Sequence, residues 1–167
     1  MLSSRAVGAA FGRAAATYDD HAELQFEAGE ALAALAALDH PQVCLGVATG
    51  KSRRGLEATL QRHGLAGRFV TLQTADDGPG KPHPRMLQAA MHDVGAEAHE
   101  TVLIGDTVYD IEMAANAGTP ALGVAWGYHP AEELTQAGAR RVLGHFAELP
   151  AALADPAEPT APTEHPA

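Results

Sequence analysis

The chain has 167 residues, with 11 Lys and Arg against 21 Asp and Glu, which leaves a formal net charge of −10. That length suits one domain, and the charge excludes nucleic acid and anionic membrane as natural partners, because like charges repel. Hydrophobic residues make up 46%, but 36 of them are alanines, and the single Cys44 can form neither an internal disulfide nor a cysteine metal cluster.

Residues 4–16 read as a helix. Residues 21–38 read as a second one, because Leu24, Ala28, Ala31, Leu32, Leu35 and Leu38 make one apolar stripe at helical spacing. From Pro41 onward, short apolar runs alternate with helical patterns. VCLGVA (43–48) reads as a buried strand, 51–64 as a helix ended by Gly64, and FVTLQT (69–74) as a strand. Residues 83–94 predict a helix with Met86, Ala90, Met91 and Val94 inward. TVLIGD (101–106) is the clearest strand. A helix over 110–118 follows, capped by Gly118, then a strand at 121–126, a helix at 130–137 and a short strand at 140–143. The expected organisation is a helical leader (1–40), a core (41–153) and a proline-rich disordered tail (154–167). Alternating strands and helices imply an α/β fold with a Rossmann-like, three-layer parallel sheet. No apolar run approaches the ~20 residues of a membrane span and no secretory h-region is visible, so the expected setting is cytoplasmic.

Such sheets bind ligands at the carboxyl ends of their strands. Thr49 and Gly50 follow the first strand of the core, Lys81 lies in the loop after the second, and Asp106 follows the third, with Asp110 four residues on. A hydroxyl, free amides, a lysine and two carboxylates at one sheet edge suit a phosphate held with a hard cation such as Mg²⁺. A P-loop is excluded, because only three residues separate Gly46 from Gly50 where that motif needs four. Each residue also has a plainer reading. Thr49 can serve as a helix cap, Lys81 as a solvated lysine, and Asp106 and Asp110 as charges favouring a helix N-terminus. Trp126, Tyr128 and His129 follow a strand and suit either the site or simple packing.

GVATGKSRRGLEATL, GKPHPRMLQAAM and TVLIGDTVYDIEMAANAG, followed by ALGVAWGYHP, resemble the haloacid dehalogenase superfamily of phosphatases, and within it the phosphoglycolate phosphatase group. The resemblance covers about 41–150 and includes three of the family's four motifs in order. It implies that Thr49, with the Gly50 amide, binds the transferring phosphoryl group. It implies that Lys81 stabilises the nucleophile and the phosphoryl intermediate, and that Asp106 and Asp110 hold Mg²⁺. The implied substrate is a small phosphorylated molecule, and the implied reaction runs through an aspartyl-phosphate.

The family's first motif, a strand ending in D-x-D-G-T that carries the nucleophile, does not occur in the sequence. The expected core therefore lacks the family's own first, central strand and the cap that follows it, so either the flanking strands pair directly, or another segment fills the slot, or the chain is marginally stable. Residues 10–25 weakly resemble the opening of methyltransferases that act on malonyl-acyl carriers, without their glycine-rich cofactor loop. Two readings stay open: an impaired Mg²⁺-dependent phosphomonoester hydrolase, or a non-catalytic remnant that binds phosphate weakly. Oligomeric state is not legible.

Overall fold

The computed structural model describes residues 5–9 (as backbone), 38 and 43–154. Six strands form one sheet: β1 (Arg5–Ala9), β2 (Val43–Ala48), β3 (Thr71–Gln73), β4 (Thr101–Gly105), β5 (Ala121–Val124) and β6 (Arg141–Leu143). Their spatial order is β3-β2-β1-β4-β5-β6, and every pairing is parallel. The connecting helices are α1 (Arg53–Arg62), α2 (Arg85–Val94), α3 (Val108–Ala117), α4 (Ala131–Gln136) and α5 (Leu149–Ala154).

Parallel strands covered on both faces read as apolar runs, and successive side chains serve opposite layers. Leu45, Val47, Val102 and Leu122 face one cluster, with Leu56 and Leu60 of α1 and Leu149 and Leu153 of α5. Ala48, Leu103 and Ala121 face the other, with Met86, Leu87 and Met91 of α2, Ile111 and Met113 of α3 and Leu134 of α4. The expected three-layer α/β architecture is present.

The helices begin and end where local chemistry directs. Ser52 accepts from the Gly55 N–H at 3.2 Å and starts α1. Gly95 and Gly118 close α2 and α3 at φ 66° and 75°, the left-handed region where a side chain would be strained. Inside α2 the buried residues are Met86, Leu87 and Met91. Leu87 was not among the residues expected to point inward, whereas Ala90 and Val94 are only partly covered.

The structure settles or changes several expectations. The helix foreseen at 4–16 is contradicted at its start, because Arg5–Ala9 is a strand. Of the alternatives for the central position, it is the filled slot that is present, and β1 occupies it. Val7 pairs with Leu45 of β2 on one side and with Val102 of β4 on the other. An empty slot would leave two rows of buried N–H and C=O groups without partners. That outweighs alanine's helix preference, which is under ~1 kcal/mol per residue. The strand foreseen at 69–74 shortens to Thr71–Gln73, and Ala154, foreseen as tail, ends α5. The leader helix over 21–38 (save buried Leu38), the methyltransferase-like stretch at 10–25 and residues 155–167 lie outside the described residues.

Candidate functional site

The register of β1 sets the site's geometry. Ala9 pairs with Val47 of β2 and with Ile104 of β4. Thr49 and Asp106 each lie two residues beyond those partners, so they flank the carboxyl end of β1 at equal height. Neighbouring strands lie ~4.8 Å apart, which puts their backbones about 10 Å from each other across β1.

Thr49 is fully buried. Its N–H donates to the Gln73 carbonyl at 2.9 Å, and its hydroxyl oxygen accepts from the Lys51 N–H at 3.2 Å. The Ala75 N–H in turn donates to the Lys51 carbonyl at 3.0 Å, and the Arg53 N–H donates to Asp76 Oδ2 at 2.8 Å. The Thr49 loop is thereby fastened to the loop that carries Lys81.

That second loop is braced along its length. The Asp77 carboxylate accepts from the N–H and hydroxyl of Thr74, both at 2.7 Å, and from the Arg53 guanidinium at 2.8 Å. The Thr74 hydroxyl bond, with the Arg53 charge adding to it, holds the Asp77 carboxyl below its usual range. Arg85 Nε donates to the Asp77 carbonyl at 3.1 Å, and Asn116 Nδ2 on α3 donates to the Pro82 carbonyl at 3.0 Å.

From this loop the Lys81 ammonium reaches Asp110 Oδ1, forming an ion pair with Lys81 only 11% exposed and Asp110 fully buried. Asp110 occupies the first turn of α3. Its Oδ2 accepts from the Thr107 N–H at 3.1 Å and hydroxyl at 2.7 Å, while Thr107 caps the helix in return. A Cβ on Gly105 would sit 2.3 Å from Asp110 Cβ, so only glycine leaves room for this carboxylate.

Asp106 is arranged differently. Its Oδ2 accepts from the Tyr128 N–H at 3.0 Å, but its buried Oδ1 has no hydrogen-bond partner among the described residues. Burial, and then the charge of Asp110, push its carboxyl above the usual range, against the pull of the Tyr128 N–H and Lys81. A buried carboxylate oxygen without a partner, with the Asp110 carboxylate close enough to raise its pKa, fits a hard divalent cation. Among the described residues no three His, Cys, Asp or Glu side chains form a closed metal cage, so such a cation would keep water or substrate ligands.

The four expected side chains thus divide into two sets. Lys81 and Asp110 are in direct contact, Asp106 lies at the start of the same turn, and Thr49 stands across β1. Gly105, Gly127, Thr107 and the Tyr128 amide were not legible in the sequence as parts of the site. Gly127 is packed so closely that a Cβ there would lie 2.0 Å from Asp106 Cβ. Trp126 turns away from the site and stacks on Phe146, ring centroids 4.4 Å apart. No helix of the described residues is long and apolar enough to cross a membrane.

Residues 14–124 match the family of haloacid dehalogenase-like hydrolases. The chain belongs to that family. The match begins well before Pro41 and takes in residues 14–25, most of the stretch that reads as methyltransferase-like. A probable phosphatase of Dickeya dadantii, IndB, is 38% identical over 116 residues, 69% of this chain and 50% of that protein. A phosphoglycolate phosphatase of Yersinia pseudotuberculosis is 32% identical over 143 residues, 85% of this chain and 60% of that protein. A solved haloacid dehalogenase-like protein from Agrobacterium tumefaciens superposes with a TM-score of 0.66 at 29% identity, covering 74% of this chain and 58% of that one. The chain spans about half to three-fifths of the length of these relatives.

Proposed function

We propose that the chain carries the phosphate- and Mg²⁺-binding half of a phosphomonoesterase site for small phosphorylated molecules, in a cytoplasmic setting, with turnover impaired. The observation that carries this reading is the Lys81–Asp110 pair set beside the unpartnered Oδ1 of Asp106. In this reading Asp106 holds the cation. Asp110 commits one oxygen to Lys81 and the other to Thr107, so it orients the lysine, and its charge would add to that of Asp106 in holding the cation. The Thr49 hydroxyl and the Gly50 amide bind phosphoryl oxygens, and the Lys81 ammonium offsets their charge. When bound, Mg²⁺ shields the phosphoryl oxygens from an attacking anion.

Impairment follows from β1. The strand occupies the position from which the family presents its nucleophile, yet it ends at Ala9. Ala10 and Phe11 come next in the sequence, and the first acidic residue of the chain is Asp19. Removing a covalent nucleophile from a site that acts as a unit costs a factor of ~10⁶ in turnover. The same observation favours a second reading, a non-catalytic phosphate binder.

The test measures phosphate release from phosphoglycolate, pyrophosphate and p-nitrophenyl phosphate with Mg²⁺, and phosphate binding by calorimetry, each against Lys81→Ala. Turnover abolished by the substitution establishes an enzyme. Binding without turnover, again abolished, establishes the binder. The absence of both turnover and binding refutes the proposal.

A further inference from the structure

The loop after β5 grips the Asp106 turn at three points. The Tyr128 N–H donates to Asp106 Oδ2 at 3.0 Å, the His129 N–H donates to the Asp106 carbonyl at 3.0 Å, and His129 Nδ1 accepts from the Val108 N–H at 3.0 Å. The last contact is unusual. Val108 is the first residue of α3, and the first four N–H groups of a helix have no partner within it. Thr107 serves the Asp110 N–H, and an imidazole 21 residues further along the chain serves Val108. The ring is held in turn by Tyr128 and Tyr109, with centroids 5.1 and 5.9 Å away. Glu133 Oε2 lies 4.0 Å from the same nitrogen.

We infer that His129 is a positioning residue, which through its Nδ1 lone pair locks the loop onto the Asp106 turn and so fixes the carboxylate. The consequence for a cation rests on the function proposed above; the lock itself does not. A carboxylate with one buried oxygen free of partners among the described residues is costly to keep charged, and the loop supplies it with a donor from outside the turn. If the Val108 N–H loses its acceptor, the loop keeps only contacts made by its own backbone, and the Tyr128 N–H is no longer anchored beside Oδ2.

The chemistry required of residue 129 is narrow: an acceptor atom two bonds beyond Cβ. Asparagine places its Oδ1 where histidine places Nδ1, whereas alanine and leucine place no acceptor there. His129→Asn is therefore expected to restore what His129→Ala removes.

The experiment compares wild type, His129→Ala and His129→Asn in two ways. Amide exchange of Val108 and Tyr128 is followed by NMR without any divalent cation, and Mn²⁺ affinity is measured by electron paramagnetic resonance. Expected are a tenfold or greater loss of protection at both amides and a tenfold weaker Mn²⁺ affinity in His129→Ala. His129→Asn should lie within threefold of wild type in both. Unchanged protection in His129→Ala overturns the inference, as does an asparagine variant no better than alanine. If the exchange pattern holds while wild type binds no Mn²⁺, the lock stands and the cation site of the proposed function falls.

Discussion

Replacing Lys81 by Met would remove the only cation paired with Asp110 in the described residues and leave a fully buried carboxylate oxygen without its partner. Breaking a buried ion pair from one side costs about 3–5 kcal/mol. Asp110 Oδ2 keeps its two bonds from Thr107, so the lower end, about 3 kcal/mol, applies here. With a urea slope of ~2 kcal/mol/M, the unfolding midpoint at pH 7 should fall by about 1.5 M. Asp110→Asn in the Lys81→Met background removes the stranded charge while keeping an oxygen for Thr107. The double variant should accordingly be about 2 kcal/mol more stable than the sum of the two single losses, a coupling typical of contacting residues. Urea titrations followed by far-UV circular dichroism give all four corners of this cycle. A Lys81→Met loss below about 1 kcal/mol, or coupling near zero, would show that the pair does not organise the folded site.

Gly127→Ala should force Asp106 aside, since the added carbon would meet Asp106 Cβ at 2.0 Å. Mn²⁺ affinity is expected to drop at least tenfold with a stability loss of about 1–3 kcal/mol, and unaltered affinity would contradict the packing. Asn116→Ala removes an exposed bond to the Pro82 carbonyl, so stability should change by about 1 kcal/mol or less while backbone exchange around Lys81 speeds up. The low carboxyl pKa of Asp77 predicts an acid-side effect. Its stabilisation is complete above the ordinary value of 3.8 and disappears as pH falls through the lower folded value. Wild type and Asp77→Asn should thus converge in urea midpoint well below pH 3.8 and separate above it; a gap that stays constant with pH would exclude the charge as its origin.

Much of the fold was legible because β2, β4 and β5 are buried on both faces and so appear as unbroken apolar runs. β1 was not. Arg-Ala-Val-Gly-Ala has one β-branched residue and reads locally as weak helix, and only the unpaired edges of β2 and β4 make it a strand. The α5 helix escaped notice because its six residues include a proline and carry too little periodicity. In the site, Thr49, Lys81, Asp106 and Asp110 were found from their places after strands. That Lys81 and Asp110 touch was not, because 29 residues separate them and only the packing of α3 beside the braced loop joins them. The Tyr128 amide has no side-chain signature at all, and Gly105 and Gly127 reveal their purpose only through the space a Cβ would fill.

The middle of the sheet is closed by main-chain pairing on both sides of a five-residue segment. A slot that asks for peptide groups and is indifferent to carboxylates lets architecture and reactivity be inherited separately. Likeness of form and turnover are therefore separate questions, and competence has to be read in the few residues where the central strand ends.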